Sequence, residues 1–169
     1  MSFLHKSSKF TTNRQDLKKI YVLQVRSKLE QSAVVWHSSL TQKCKNKLER
    51  VQKSALRVIL GPRYTNYSDA LEKLNLQTLD ERRKNLCFKF AKKCLSVDKL
   101  KKMFPLNVNQ HKMNKRKHEK YKVSKSLTER HKSSAIPYMQ RLLNESERKK
   151  MKILKQIDEF SMPVNNGTL

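Results

Sequence analysis

Between Asp16 and Leu29 the apolar residues Leu17, Ile20, Tyr21, Val25 and Leu29 return every three or four positions. That spacing gathers them on one face of a helix. The short run Ala33, Val34, Val35 and Trp36 follows, able to pack beneath it. The next helix is the most sharply bounded of the chain. Thr41 is placed to cap it, Leu48, Val51, Ala55, Val58 and Ile59 form its stripe, and Gly61 with Pro62 stops it. Its other face carries Lys45, Lys47, Arg50, Lys53, Ser54 and Arg57, which predicts a wet and positive surface. Ser68 or Asp69 is placed to cap a short helix that runs through Leu74 and terminates at Asn75. Thr78 then stands three residues before Glu81, the capping-box spacing, ahead of a stripe of Leu79, Leu86, Cys87, Phe90, Cys94 and Leu95.

Beyond Phe104 and Pro105 the pattern changes. From Lys99 to Lys132 there are twelve Lys or Arg against Glu119 and Glu129, with His111, His118 and His131 among them. A block of like charge with so little apolar surface predicts a mobile, solvated arm. Within it, Tyr121 and Val123 alternate with lysines, a faint sign of a brief extended segment. Helix resumes near Ser134, where Pro137 suits a first turn and Ile136, Met139, Leu142 and Leu143 make an apolar side before Asn144. A last helix from Glu145 to Phe160 places Met151, Leu154 and Ile157 on one flank, with acids at its start and lysines in its body, the arrangement that complements the helix dipole. The expected fold is mainly α: a basic disordered leader over 1–15, a core of three to five helices over 16–98, a flexible basic arm over 99–133, one or two carboxy-terminal helices over 134–160 and a disordered tail over 161–169.

Composition sharpens this picture. Two glycines and four prolines in 169 residues leave few of the turns that hairpin-rich sheets need. The decisive quantity is charge: 39 Lys and Arg oppose 14 Asp and Glu, a formal net charge of +25. So positive a field favours polyanions, above all nucleic-acid phosphates. Cys44, Cys87 and Cys94 are odd in number and lack paired spacing, and no secretory signal precedes them, so reduced thiols and an intracellular protein, nuclear or cytoplasmic and not secreted, are expected. No apolar run reaches the roughly 18 to 20 residues of a membrane span, and no membrane partner is expected.

Catalytic chemistry has little to stand on. Two-metal phosphoryl transfer needs carboxylates held close together, and Asp16, Asp69, Asp80, Asp98 and Asp158 are isolated from one another. Neither glycine belongs to a phosphate-cradling loop, and the Cys and His spacings match no zinc pattern, so no cofactor and no metal are expected. Cys87 and Cys94, seven residues apart on an apolar face, read as small buried hydrophobes. What remains is phosphate contact. Lys115, Arg116, Lys117, Lys120, Lys122, Lys125, Arg130 and Lys132 are placed to track a backbone while Tyr121 stacks on a base. Arg82 and Arg83, with Lys84, Lys89, Lys92 and Lys93, form a second basic surface along the Leu79 to Leu95 helix.

The order of several blocks carries a resemblance. Asp-Leu-Lys-Lys-Ile-Tyr (16–21), Val-Arg-Ser-Lys-Leu-Glu-Gln-Ser-Ala-Val-Val-Trp-His-Ser-Ser-Leu-Thr (25–41) and Leu-Glu-Arg-Val-Gln-Lys-Ser-Ala-Leu-Arg-Val-Ile-Leu-Gly (48–61) resemble the segment after the polymerase domain in jockey-like, non-LTR (LINE-type) retrotransposon reverse transcriptases. So do Tyr64 and Tyr67 with Ala70-Leu71, Leu79-Asp80-Glu81-Arg82-Arg83 and Ser-Ala-Ile-Pro-Tyr-Met-Gln-Arg-Leu-Leu-Asn (134–144). The resemblance covers about residues 16 to 144. It implies a carboxy-terminal, post-palm thumb or tail region lying against template RNA and primer DNA. In that family the Phe/Tyr-x-Asp-Asp motif and its upstream aspartate lie earlier, so no catalytic residue carries over. The expected function is non-catalytic RNA or DNA binding. The alternatives are an interaction module that associates with a full-length reverse transcriptase or with itself, and a truncated transposon remnant with no autonomous function.

Overall fold

The computed structural model describes residues 2–11, 13–107 and 119–161, and the chain divides into two compact units, residues 1–89 and 90–169. Among the described residues the fold is mainly helical and holds no strand, only one isolated β-bridge. It contains more helices than the three to five expected of its core, because several are single turns.

The first unit begins with α1 (Ser2–Phe10), where a disordered leader was expected. Its Leu4 is fully buried in the core with Leu17, Tyr21, Ala55, Leu56, Ile59, Leu60, Ala70 and Leu74, and packing of this kind, more than propensity, holds a short helix in place. Asn13, accepting the Gln15 N–H at 3.0 Å, caps α2 (Arg14–Ile20). The helix then widens into a π-helical stretch, Tyr21–Arg26, before closing as α3 (Ser27–Glu30). Ser27 donates its hydroxyl to the Leu23 carbonyl inside the wide turn. Ser32, with φ of 53°, turns the chain into α4 (Ala33–Trp36).

α5 (Gln42–Leu60) starts and stops at the expected residues. Thr41 accepts the Cys44 N–H, and Gly61 takes a φ of 54° that a side chain would strain. Its buried face is rotated from the expected stripe: Gln52, Ala55, Leu56, Ile59 and Leu60 face inward, while Leu48, Val51 and Val58 are only partly covered. Gln52 is tolerated there because the Tyr21 hydroxyl donates to its Oε1 at 2.7 Å and its own amide donates to the Gln77 carbonyl at 2.9 Å. Asn66, in place of Ser68 or Asp69, caps α6 (Tyr67–Lys73). Asn75, at φ of 47°, ends that helix, and Thr78 caps α7 (Leu79–Leu95) at the expected place, its hydroxyl accepting the Glu81 N–H at 3.2 Å and donating to the Glu81 carboxylate at 3.0 Å. The face of α7 that is buried runs through Leu79, Arg83, Cys87, Ala91 and Cys94, whereas Phe90 is exposed.

In the second unit α8 (Asp98–Lys101) leads to Phe104, which is buried. Residues 119–133 are built into the fold rather than free of it. Leu106 and Tyr121 pair as an antiparallel bridge, with Asn107 N–H donating to Lys120 O and Lys122 N–H to Pro105 O, both at 2.9 Å. Thr128 caps α9 (Glu129–Lys132). α10 (Ala135–Ser161) is one helix of 27 residues, with no break at Asn144. Its buried Asn144 accepts the Tyr121 N–H and donates to the Tyr121 carbonyl, each at 2.9 Å, so the side chain replaces a strand partner instead of ending the helix. One turn earlier Gln140 works the same way, accepting the Ser124 N–H at 3.2 Å and donating to the Met103 carbonyl at 2.8 Å. The expected tail over 161–169 falls, beyond Ser161, outside the described residues.

Candidate nucleic-acid interface

The acids of this chain are largely occupied with the fold. Glu49 accepts the Tyr67 hydroxyl and, at 2.9 Å, the Asp80 N–H, and burial followed by that bond pushes the Tyr67 phenol far above its usual range. Asp69 pairs with Lys73 at 2.8 Å and accepts the Thr65 hydroxyl, which holds its carboxyl below the usual value. Glu145, Glu147 and Glu129 pair with neighbouring lysines on their own helices at 3.0 to 3.4 Å.

The basic side chains are spread over the surface. On α5, Lys43, Lys47, Arg50 and Arg57, spaced by four, three and seven residues, are exposed along the helix. Lys53 lies 5.0 Å from the centre of the Tyr67 ring and Arg57 5.3 Å from that of Tyr64, so the cations carry tyrosine rings beside them. In the second unit Lys122, Lys125, Arg130 and Lys132 are exposed, Lys132 against Glu129 at 3.1 Å. Lys120 is half-exposed and reaches Glu147 at 3.7 Å. Lys115, Arg116 and Lys117 lie outside the described residues.

Two of the expected contact residues are corrected. Tyr121 is buried at 7% exposure and its backbone is held by Asn144, so its ring is not presented to stack on a base. Arg83 is fully buried and belongs to no basic surface. Its guanidinium lies 5.9 Å from the Trp36 ring, its Nε donates to His37 Nδ1 at 3.4 Å, and Asp80 stands 3.8 Å away. Burial above all, and then Arg83, Lys45 and Lys84 against the opposing pull of Asp80, lower the pKa of His37. The register explains the error, since a period of four from Leu79 carries position 83 onto the face that packs.

Arg82 has a different environment, and it leads to residues that sequence reasoning missed. Its Nε donates to Glu30 Oε1, the same oxygen that Arg26 Nε approaches at 3.6 Å. Burial first, and then the Arg82 charge, hold the Arg26 guanidinium below its usual pKa. These two arginines belong to the wall of a cleft of about 690 Å³ between the π-helical stretch and the turn over 75–77. Lys18 and Lys19 stand on the same wall, with Val22, Leu23 and Leu76 as apolar lining. A neighbouring depression shares Gln15 with this cleft and adds Arg14, Arg63 and Lys73. The available signal was the set Lys18, Lys19, Val22, Leu23 and Arg26, one face of one helix, but its opposite wall lies some fifty residues later.

The remaining chemistry is sparse. Burial pushes the Cys87 thiol up to about 11 and raises that of Cys94, so both are inert at neutral pH, and Cys44 is exposed. Among the described residues no three His, Cys, Asp or Glu side chains gather as a metal site, and no helix is long and apolar enough to cross a membrane. No family model matches the chain, and no curated protein or solved structure matches it.

Proposed function

We propose that this protein is a non-catalytic nucleic-acid-binding module related to the carboxy-terminal, thumb-like region of non-LTR retrotransposon reverse transcriptases, holding RNA or DNA through backbone phosphates. One observation carries the reading: against a net charge of +25, most of the described carboxylates are engaged in caps and local pairs, while Lys43, Lys47, Arg50, Arg57, Lys122, Lys125, Arg130 and Lys132 are exposed. Exposed lysines and arginines without base-reading partners favour sequence-tolerant contact, in which affinity comes from displaced counterions. The nucleus or the cytoplasm are the compartments where such a polyanion is met.

Fluorescence anisotropy with a labelled oligonucleotide tests this. Contact with about 6 to 10 phosphates lowers the affinity roughly 10³- to 10⁵-fold between 50 and 200 mM salt. Undetectable or salt-insensitive binding refutes the reading. Primer extension with the isolated chain and magnesium is expected to be blank.

A second reading rests on α10, where Met151, Ile153, Leu154 and Ile157 are all more than half exposed. Such a flank suits an interaction module that meets a reverse transcriptase or a second copy of this chain. Light scattering over a range of concentrations separates the readings, because a monomer that binds RNA strongly disfavours the interaction module.

A further inference from the structure

We infer that the cleft beside the π-helical stretch is the seat of a single-stranded nucleic-acid segment, with Lys18, Lys19, Arg26 and Arg82 as the cations that meet its phosphates. This deepens the proposed function and rests on it.

Charge is the first argument. The two adjoining depressions are lined by Arg14, Lys18, Lys19, Arg26, Arg63, Lys73 and Arg82, and no acid lines either. The carboxylates that reach these cations are Asp16, Glu30 and Asp69, three against seven. The deficit is sharpest at Glu30, whose single charge serves two guanidiniums through one oxygen. Arg26 and Glu30 are both mostly covered, so the unbalanced charge lies where water screens it weakly. A guanidinium has five donors in a rigid fork that matches phosphate oxygens, and Glu30 meets each of these two at Nε, one donor of the five.

Shape and local backbone are the second argument. A cleft of about 690 Å³ has the dimensions of a small-ligand site, admitting a nucleotide or two but not a duplex. Its wall is the π-helical stretch itself, a form that is rare and clusters at functional sites. The core fixes that stretch, through Tyr21 bonded to Gln52, while Leu23 on the same stretch is 68% exposed at the rim. Leu23, Val22 and Leu76 offer apolar faces to a base, and Gln15, Asn75 and Gln77 offer amides to its edge. Charge beneath and apolar surface beside it is the combination that single strands use.

The experiment compares variants of the full chain against a labelled single-stranded 12-mer of uridine. Lys18→Glu/Lys19→Glu is expected to weaken binding about tenfold or more at 100 mM salt and to lower the salt slope by about two. Lys6→Glu/Lys9→Glu makes the same charge change on exposed residues of α1 and is expected to cost less than about threefold. Leu23→Trp adds a reporter at the rim, and the 12-mer should quench its emission beyond any change in Trp36. An unlabelled blunt duplex should compete less well than the unlabelled 12-mer. If the wild type binds but both double variants weaken equally, the Leu23→Trp emission is unmoved, or the duplex competes as well, the cleft is not the seat. Failure of the wild type to bind any oligonucleotide overturns the proposed function and this inference with it.

Discussion

Arg83 places a permanent charge where water does not reach, with the Trp36 ring, His37 and Asp80 around it. Two of its guanidinium nitrogens, Nη1 and Nη2, have no hydrogen-bond acceptor. His37 stabilises this arrangement only while neutral, because a protonated imidazole could not accept from Arg83 and would add a second buried cation. The folded protein therefore resists protonating His37, while the unfolded chain takes the proton near pH 6.5. Stability from this group is complete above that pH and declines as the pH falls below it towards the lowered pKa of the folded state. Asp80 works against the effect, and Lys45 and Lys84 reinforce it. The thermal midpoint should drop between pH 7.5 and 5, and His37→Phe should drop less over that interval. Equal drops for both proteins would remove His37 from the account.

At the scale of the element, α10 holds the sharpest test. Asn144 replaces a strand partner for the Tyr121 backbone, so Asn144→Ala leaves a buried N–H and a buried carbonyl without partners. The expected loss is about 2 to 4 kcal/mol in urea unfolding. An Ala variant as stable as the wild type would show that the pairing contributes nothing. Local chemistry made some elements legible in sequence: Thr41, Gly61 and the Thr78–Glu81 pair act within a few residues of themselves, and each sits at the expected helix end. Asn144 was misread because asparagine is one of the residues that can end a helix, and its reason for staying inside one is a backbone 23 residues away. Leu4 and Arg83 failed for the same cause. A leucine in a basic leader and an arginine beside another arginine look solvated until distant segments cover them. The basic character of the surface was visible in the charge, whereas the cleft was not, since residues 15–26 and 75–82 meet only in the fold.

At the scale of the whole molecule, one excess of charge acts on stability and on binding with opposite signs. A net charge of +25 on 169 residues repels itself, which opposes compaction, and it attracts polyanions by the same field. Added salt screens both within a Debye length of about 10 Å at 0.1 M. The pairs that salt would weaken are mostly exposed ones between helical neighbours, such as Lys149 with Glu145, Lys150 with Glu147 and Lys19 with Asp16, each contributing only about 0.3 to 0.5 kcal/mol. Relief of repulsion should therefore outweigh their loss. Between 50 and 300 mM sodium chloride the thermal midpoint is expected to rise while affinity for the oligonucleotide falls. At low salt, adding the oligonucleotide should itself raise the midpoint, by linkage to the folded state. Scanning fluorimetry across the salt series decides it: a midpoint that falls as salt is added would mean that attraction between opposite charges, not repulsion among the cations, governs this fold.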